Sequence, residues 1–105
     1  MIRVDSHRAF LAAWQRGEAC CWCDPVGHEL RFYAQPVPTL QLLPAPFSPF
    51  RLREALMRRF LAPGRYEGCY LSATLEGAPL LMLQLTGSEV PQDAIGTLYS
   101  LADMT

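Results

Sequence analysis

The chain has no lysine; all nine of its basic residues are arginine, as codon bias in a GC-rich genome favours. Against ten acidic residues they leave a formal net charge of −1. That balance excludes the basic footprint of a nucleic-acid or anionic-membrane binder. No apolar run approaches the roughly 18 residues a membrane span requires. Met1 to Ser6 is polar, so no export signal opens the chain, and the expectation is a cytoplasmic protein without membrane insertion. Glycines stand singly, which excludes a phosphate-cradling loop. The only two histidines, His7 and His28, have no serine, cysteine or carboxylate partner at a recognisable spacing. Nothing in the sequence supports catalysis, and no cofactor is expected.

What is present is apolar. Half of the 105 residues are hydrophobic and only 18% are charged. One domain of this length, residues 1–105, holds a single core. The apolar surplus implies either a dense core or a surface closed by a partner.

The most regular stretch runs from Tyr66 to Gly87. Cys69, Leu71, Ala73 and Leu75 alternate with Tyr70, Ser72 and Thr74, and Leu81, Leu83 and Leu85 continue the period after Glu76-Gly77-Ala78-Pro79. This predicts a β-hairpin with one buried face. Keeping the leucines on one face pairs 75 with 81, 73 with 83 and 71 with 85, across a loop of odd length or a bulge. A second hairpin is predicted around Asp24-Pro25-Val26-Gly27, a strong turn sequence. A four-residue loop pairs Cys23 with His28, Cys21 with Leu30 and Ala19 with Phe32. Ala19, Cys21, Leu30, Phe32 and Ala34 then face the core, leaving Cys20, Trp22, Arg31 and Tyr33 outside.

Three helices complete the pattern. Asp5-Ser6 caps a helix from His7 to Arg16 that presents Phe10, Ala13 and Trp14 inward, and Gly17 ends it. Ser48-Pro49 opens a helix to about Leu61, with Leu52, Leu56 and Phe60 as its buried stripe beside Ala55 and with Arg51, Glu54 and Arg58 in water. Pro91 opens a last helix in which Ile95, Leu98, Tyr99 and Ala102 share a face. Between Pro36 and Pro49 five prolines mark a connector, in which Leu40 to Leu43 form a short edge strand. The expected fold is α+β: an antiparallel sheet of four to five strands built from two hairpins, with three helices, in the order α-β-β-(β)-α-β-β-α.

Cys20-Cys21-Trp22-Cys23 contains a C-x-x-C, but on a strand its two thiols point to opposite faces and lack helix-dipole activation. Cys21 and Cys23 share a face with His28, three ligands where structural zinc takes four, unless Cys69 joins them. Buried inert thiols are the simpler reading, and a small zinc or thiol protein the remote alternative. Trp22, Tyr33, Tyr66 and Tyr70 are placed at half-exposed strand positions, where aromatic residues mark contact surfaces.

The arrangement of Phe50-Arg51-Leu52-Arg53-Glu54-Ala55-Leu56-Met57-Arg58-Arg59-Phe60, Gly68-Cys69-Tyr70-Leu71, Glu76-Gly77-Ala78-Pro79-Leu80-Leu81-Met82-Leu83 and the Pro91–Ala102 helix resembles the C-terminal half of type III secretion chaperones. The resemblance implies a small cytoplasmic, non-catalytic α/β dimer that binds an extended segment of another protein, a secreted effector, by strand addition. On that reading Trp22, Tyr33, Leu40 and Leu42 contact the partner, and the second helix and last strand self-associate. The same block also resembles the C-terminal domain of SseB-like proteins, which gives an immunity or adaptor protein as the alternative.

Overall fold

The computed structural model describes residues 1–104. Its elements are β1 (Ile2–Arg3), α1 (His7–Gln15), β2 (Cys20–Cys23), β3 (Glu29–Tyr33), β4 (Thr39–Leu43), α2 (Leu52–Leu61), β5 (Cys69–Ala73), β6 (Pro79–Gln84) and α3 (Pro91–Leu101). The strands form one mixed sheet in the order β1-β2-β3-β4-β6-β5, parallel only between β1 and β2. The α+β class holds, with six strands where four to five were expected. β1, two residues long, adds a short lid to the β2 edge.

Leu40 to Leu43 do form a strand, but it lies in the middle of the sheet. β4 pairs with β3 on one side and β6 on the other, joining the two hairpins. Each hairpin shifts from its expected register. In the first, Asp24 receives the backbone N–H groups of Val26, Gly27 and His28 on one carboxylate oxygen. Gly27 closes this turn at φ +106°, open to glycine and strained for other residues. The loop has five residues rather than four, so Cys20 faces Phe32 and Trp22 faces Leu30. A slip of one residue exchanges the faces of a strand. Cys20 is therefore in the core, and Cys21 sits on the opposite side of the sheet.

In the second hairpin the leucines keep the expected face, and the loop is odd, five residues from Thr74 to Ala78. The strand ends two positions early, at Ala73, so each partner shifts by four, pairing Leu71 with Leu81 and Cys69 with Leu83. Leu75 is thereby left in the turn, fully exposed.

One face of the sheet is covered. Phe10 and Ala13 of α1 and Ala94, Ile95, Leu98 and Leu101 of α3 close over Cys20, Leu30, Phe32, Leu40, Leu42, Cys69, Leu81 and Leu83. Helix α1 is capped by the Ser6 hydroxyl, which accepts the Ala9 N–H. Trp14 stacks on Phe32 at 5.0 Å between ring centroids. Among the described residues no helix packs on the opposite face. Register places Cys21, Arg31, Gln41, Met82 and Tyr70 in one row across it.

Candidate functional site

Helix α2 departs furthest from its sequence pattern. Leu52, Leu56 and Phe60, the expected buried stripe, are 47%, 49% and 77% exposed, and Met57 and Leu61 beside them are also exposed. Ala55 is its one buried residue. The helix starts at Leu52, with Arg51 rather than Ser48 at its cap position and no side-chain cap. Ser48 instead accepts the Phe50 N–H within the connector.

Arginines hold α2 in this orientation. Arg58, expected in water, is half-buried and donates through Nε to the Leu101 carbonyl at 2.9 Å. Arg59 donates through Nε to the Cys69 carbonyl at 2.7 Å. Both stems lie along the protein while the guanidinium groups satisfy carbonyls at the end of α3 and on β5. With its charged side turned inward, α2 shows two apolar ridges to solvent, Leu52-Leu56-Phe60 and Met57-Leu61.

Strand β5 adjoins this helix and ends the sheet. Thr74 N–H to Ala78 C=O and Gln84 N–H to Gly68 C=O belong to one register, so the even-numbered residues of β5 bond to β6. The backbone groups of Cys69, Leu71 and Ala73 therefore point outward. Cys69 is satisfied by Tyr66 O and Arg59. Leu71 and Ala73 leave an unpaired edge. Gly68 permits this approach: at φ +81°, a Cβ there would stand 3.3 Å from the Gln84 carbonyl oxygen.

The partner-contact residues expected from the sequence are dispersed. Leu40 and Leu42 are completely buried, because β4 is central and its alternate side chains point under the helices. Trp22 is half-buried against the core, edge-on to His7 at 5.2 Å, since the register shift turned it inward. Tyr33 remains on the uncovered face, half-buried. Tyr66 is buried, its hydroxyl 2.8 Å from that of Ser100, rather than on a half-exposed strand; Tyr70 is exposed. Of the expected self-association elements, β6 is interior and α2 is exposed.

The thiols and histidines do not assemble either. Cys69 lies in the core on β5, Cys21 and Cys23 on the uncovered face, and His28 at the base of the first turn, where Nδ1 accepts the Ala45 N–H at 2.9 Å. Among the described residues no group of three or more His, Cys, Asp or Glu could hold a metal ion. Burial pushes the Cys20 and Cys69 thiols up to about 11. Asp24, expected only as a turn residue that bonds nearby backbone amides, also accepts the Tyr99 hydroxyl at 2.7 Å, tying the first turn to α3.

A model of the HrpV-like family matches residues 1–105, the whole chain. The chain belongs to the HrpV-like family. That family is associated with type III secretion and its regulation, so the secretion part of the resemblance stands, while the chaperone class is not given by the match. Searches of curated proteins and of solved structures found no match. In this HrpV-like chain no helix among the described residues is long and apolar enough to cross a membrane.

Proposed function

We propose that this is a non-catalytic protein-binding module of a type III secretion system, which receives an extended segment of another protein on the free edge of β5. The observation that carries the reading is the outward turn of α2 beside that edge. Five large apolar side chains, about half to three-quarters exposed, face solvent on one helix, and burying the exposed part of each would gain on the order of 1–2 kcal/mol. A contiguous patch of this kind marks a partner surface. The unpaired backbone groups of Leu71 and Ala73 supply the hydrogen bonds of strand addition, and α2 supplies apolar contact for alternate side chains. This is the action of a small secretion chaperone in the cytoplasm.

The test uses Ala73→Pro. Ala73 is exposed and its N–H points off the edge, so proline removes a donor there without touching the ladder to β6. Binding of secreted substrates from the same secretion system is measured by calorimetry. The variant should keep its unfolding midpoint and lose binding; unchanged binding to every substrate defeats strand addition at β5.

A further inference from the structure

We propose that the outward face of α2 is occupied by an amphipathic helix of a different protein, apolar on one side and acidic along its flanks, and not by a second copy of this chain. The inference deepens the protein-binding reading and rests on it.

Charge decides between the two occupants. Arg51, Arg53, Arg58 and Arg59 stand on or beside α2 against a single acidic residue, Glu54, whereas the whole chain is net negative. Positive charge thus gathers on this helix, with Arg58 and Arg59 along its inward side and Arg53 among the exposed apolar side chains. Arg53 lies in the same ridge as Met57 and Leu61, one turn before Met57, and is exposed. Neither Arg51 nor Arg53 has an ion-pair partner among the described residues, where the ion pairs are Arg16–Glu18 and Arg31–Glu29.

A two-fold pairing of α2 on α2 brings these arginines onto their own copies. Centring it on Leu56 sets Leu52 against Phe60 and Arg53 against Arg59; Glu54 meets Arg58, but one acidic residue per copy leaves each helix with a surplus of arginine facing the other's. An acidic helix removes that opposition. Its apolar residues at i, i+3, i+4 and i+7 fill the two ridges, and its carboxylates reach Arg51 and Arg53 on the rim. The geometry of α2 is suited to this because Arg58 and Arg59 are already tied to Leu101 and Cys69, which fixes the ridges in place before a partner arrives.

The experiment uses two synthetic helical peptides of about 18 residues with the same leucine face, one with glutamate and one with lysine at its other positions. Fluorescence anisotropy measures both against the full chain at low and high salt, and light scattering measures the mass of the free protein. The expected result is a monomer that binds the glutamate peptide at least about tenfold more tightly than the lysine peptide, with the preference shrinking as salt rises. Leu56→Glu with Phe60→Glu should abolish binding, and Arg51→Glu with Arg53→Glu should reverse the preference while the protein stays folded. Equal affinity for the two peptides overturns the acidic partner but leaves a protein-binding face. A dimer that Leu56→Glu converts to monomer overturns it in favour of a second copy. If neither peptide binds, the inference fails, and substrate binding sensitive to Ala73→Pro then shows whether the β5 reading survives alone.

Discussion

Arg59 donates to the carbonyl oxygen of Cys69 across 2.7 Å, a hydrogen bond between α2 and the outermost strand. It joins two elements that share little apolar contact, and it turns the apolar side of α2 away from the protein. Hydrogen bonds from a charged donor contribute about 1.5–3 kcal/mol. Arg59→Ala is therefore expected to lower stability by that order in urea denaturation and to speed amide exchange in α2 more than in α3.

The exposed ridge predicts an unusual tolerance. Phe60→Ser should change stability by less than about 0.5 kcal/mol, as for other surface positions. Leu98→Ala, at a completely buried α3 position, should cost about 2–5 kcal/mol. Equal losses in chemical denaturation would mean that α2 packs its apolar face inward.

Tyr99 links α3 to the first turn through Asp24. Burial, and then the Asp24 carboxylate that accepts its proton, hold the Tyr99 hydroxyl well above the usual phenol range. The unfolded chain ionises this group more readily than the folded one, so its contribution is fully present below about pH 10 and is lost as pH rises beyond that. The Cys20 and Cys69 thiols, raised in the same direction by burial, add to the alkaline loss from about pH 9 upward. Tyr99→Phe should be less stable at neutral pH and should show a shallower decline between about pH 10 and 12 in thermal melts.

Thiol reactivity should separate the four cysteines. Cys23 is exposed; Cys21, Cys20 and Cys69 are buried, and the last two also hold their protons to about 11. Alkylation with iodoacetamide near pH 8, followed by mass spectrometry, should label Cys23 first and Cys20 and Cys69 only on unfolding. Early labelling of Cys20 would place Cys21 in the core instead and restore the register expected from the sequence.

Gly68→Ala tests the entry to β5. The left-handed backbone and the 3.3 Å approach of a Cβ to Gln84 O predict a loss of about 1–3 kcal/mol, seen as a lower denaturation midpoint.

The face alternation of Leu71, Leu81 and Leu83 and the odd loop between them could be read directly, because a strand with one buried side repeats every two residues. The cap at Ser6 and the inward face of Phe10 and Ala13 were equally local. The first hairpin slipped because its loop length depends on three N–H groups converging on Asp24, and one residue of error there moved Trp22 inward and Cys21 outward. No signal in the composition announced this, although an Asp that begins Asp-Pro-x-Gly and is followed by a buried His28 is compatible with either loop. Leu40 and Leu42 looked like an edge only because prolines surround them; the sheet uses their strand as its centre, where both ladders are satisfied.

By itself the sequence determined the α+β class, the three helices and the leucine face of the second hairpin, since hydrophobic period and turn chemistry act over a few neighbouring residues. Tertiary structure alone decided where α2 lies and which way it faces. The spacing of Leu52, Leu56 and Phe60 describes an apolar face without saying what covers it. At the end of the sheet α2 has α3 and the β5 edge beside it, and the hydrogen bonds of Arg58 and Arg59 to backbone carbonyls there turn that face to solvent.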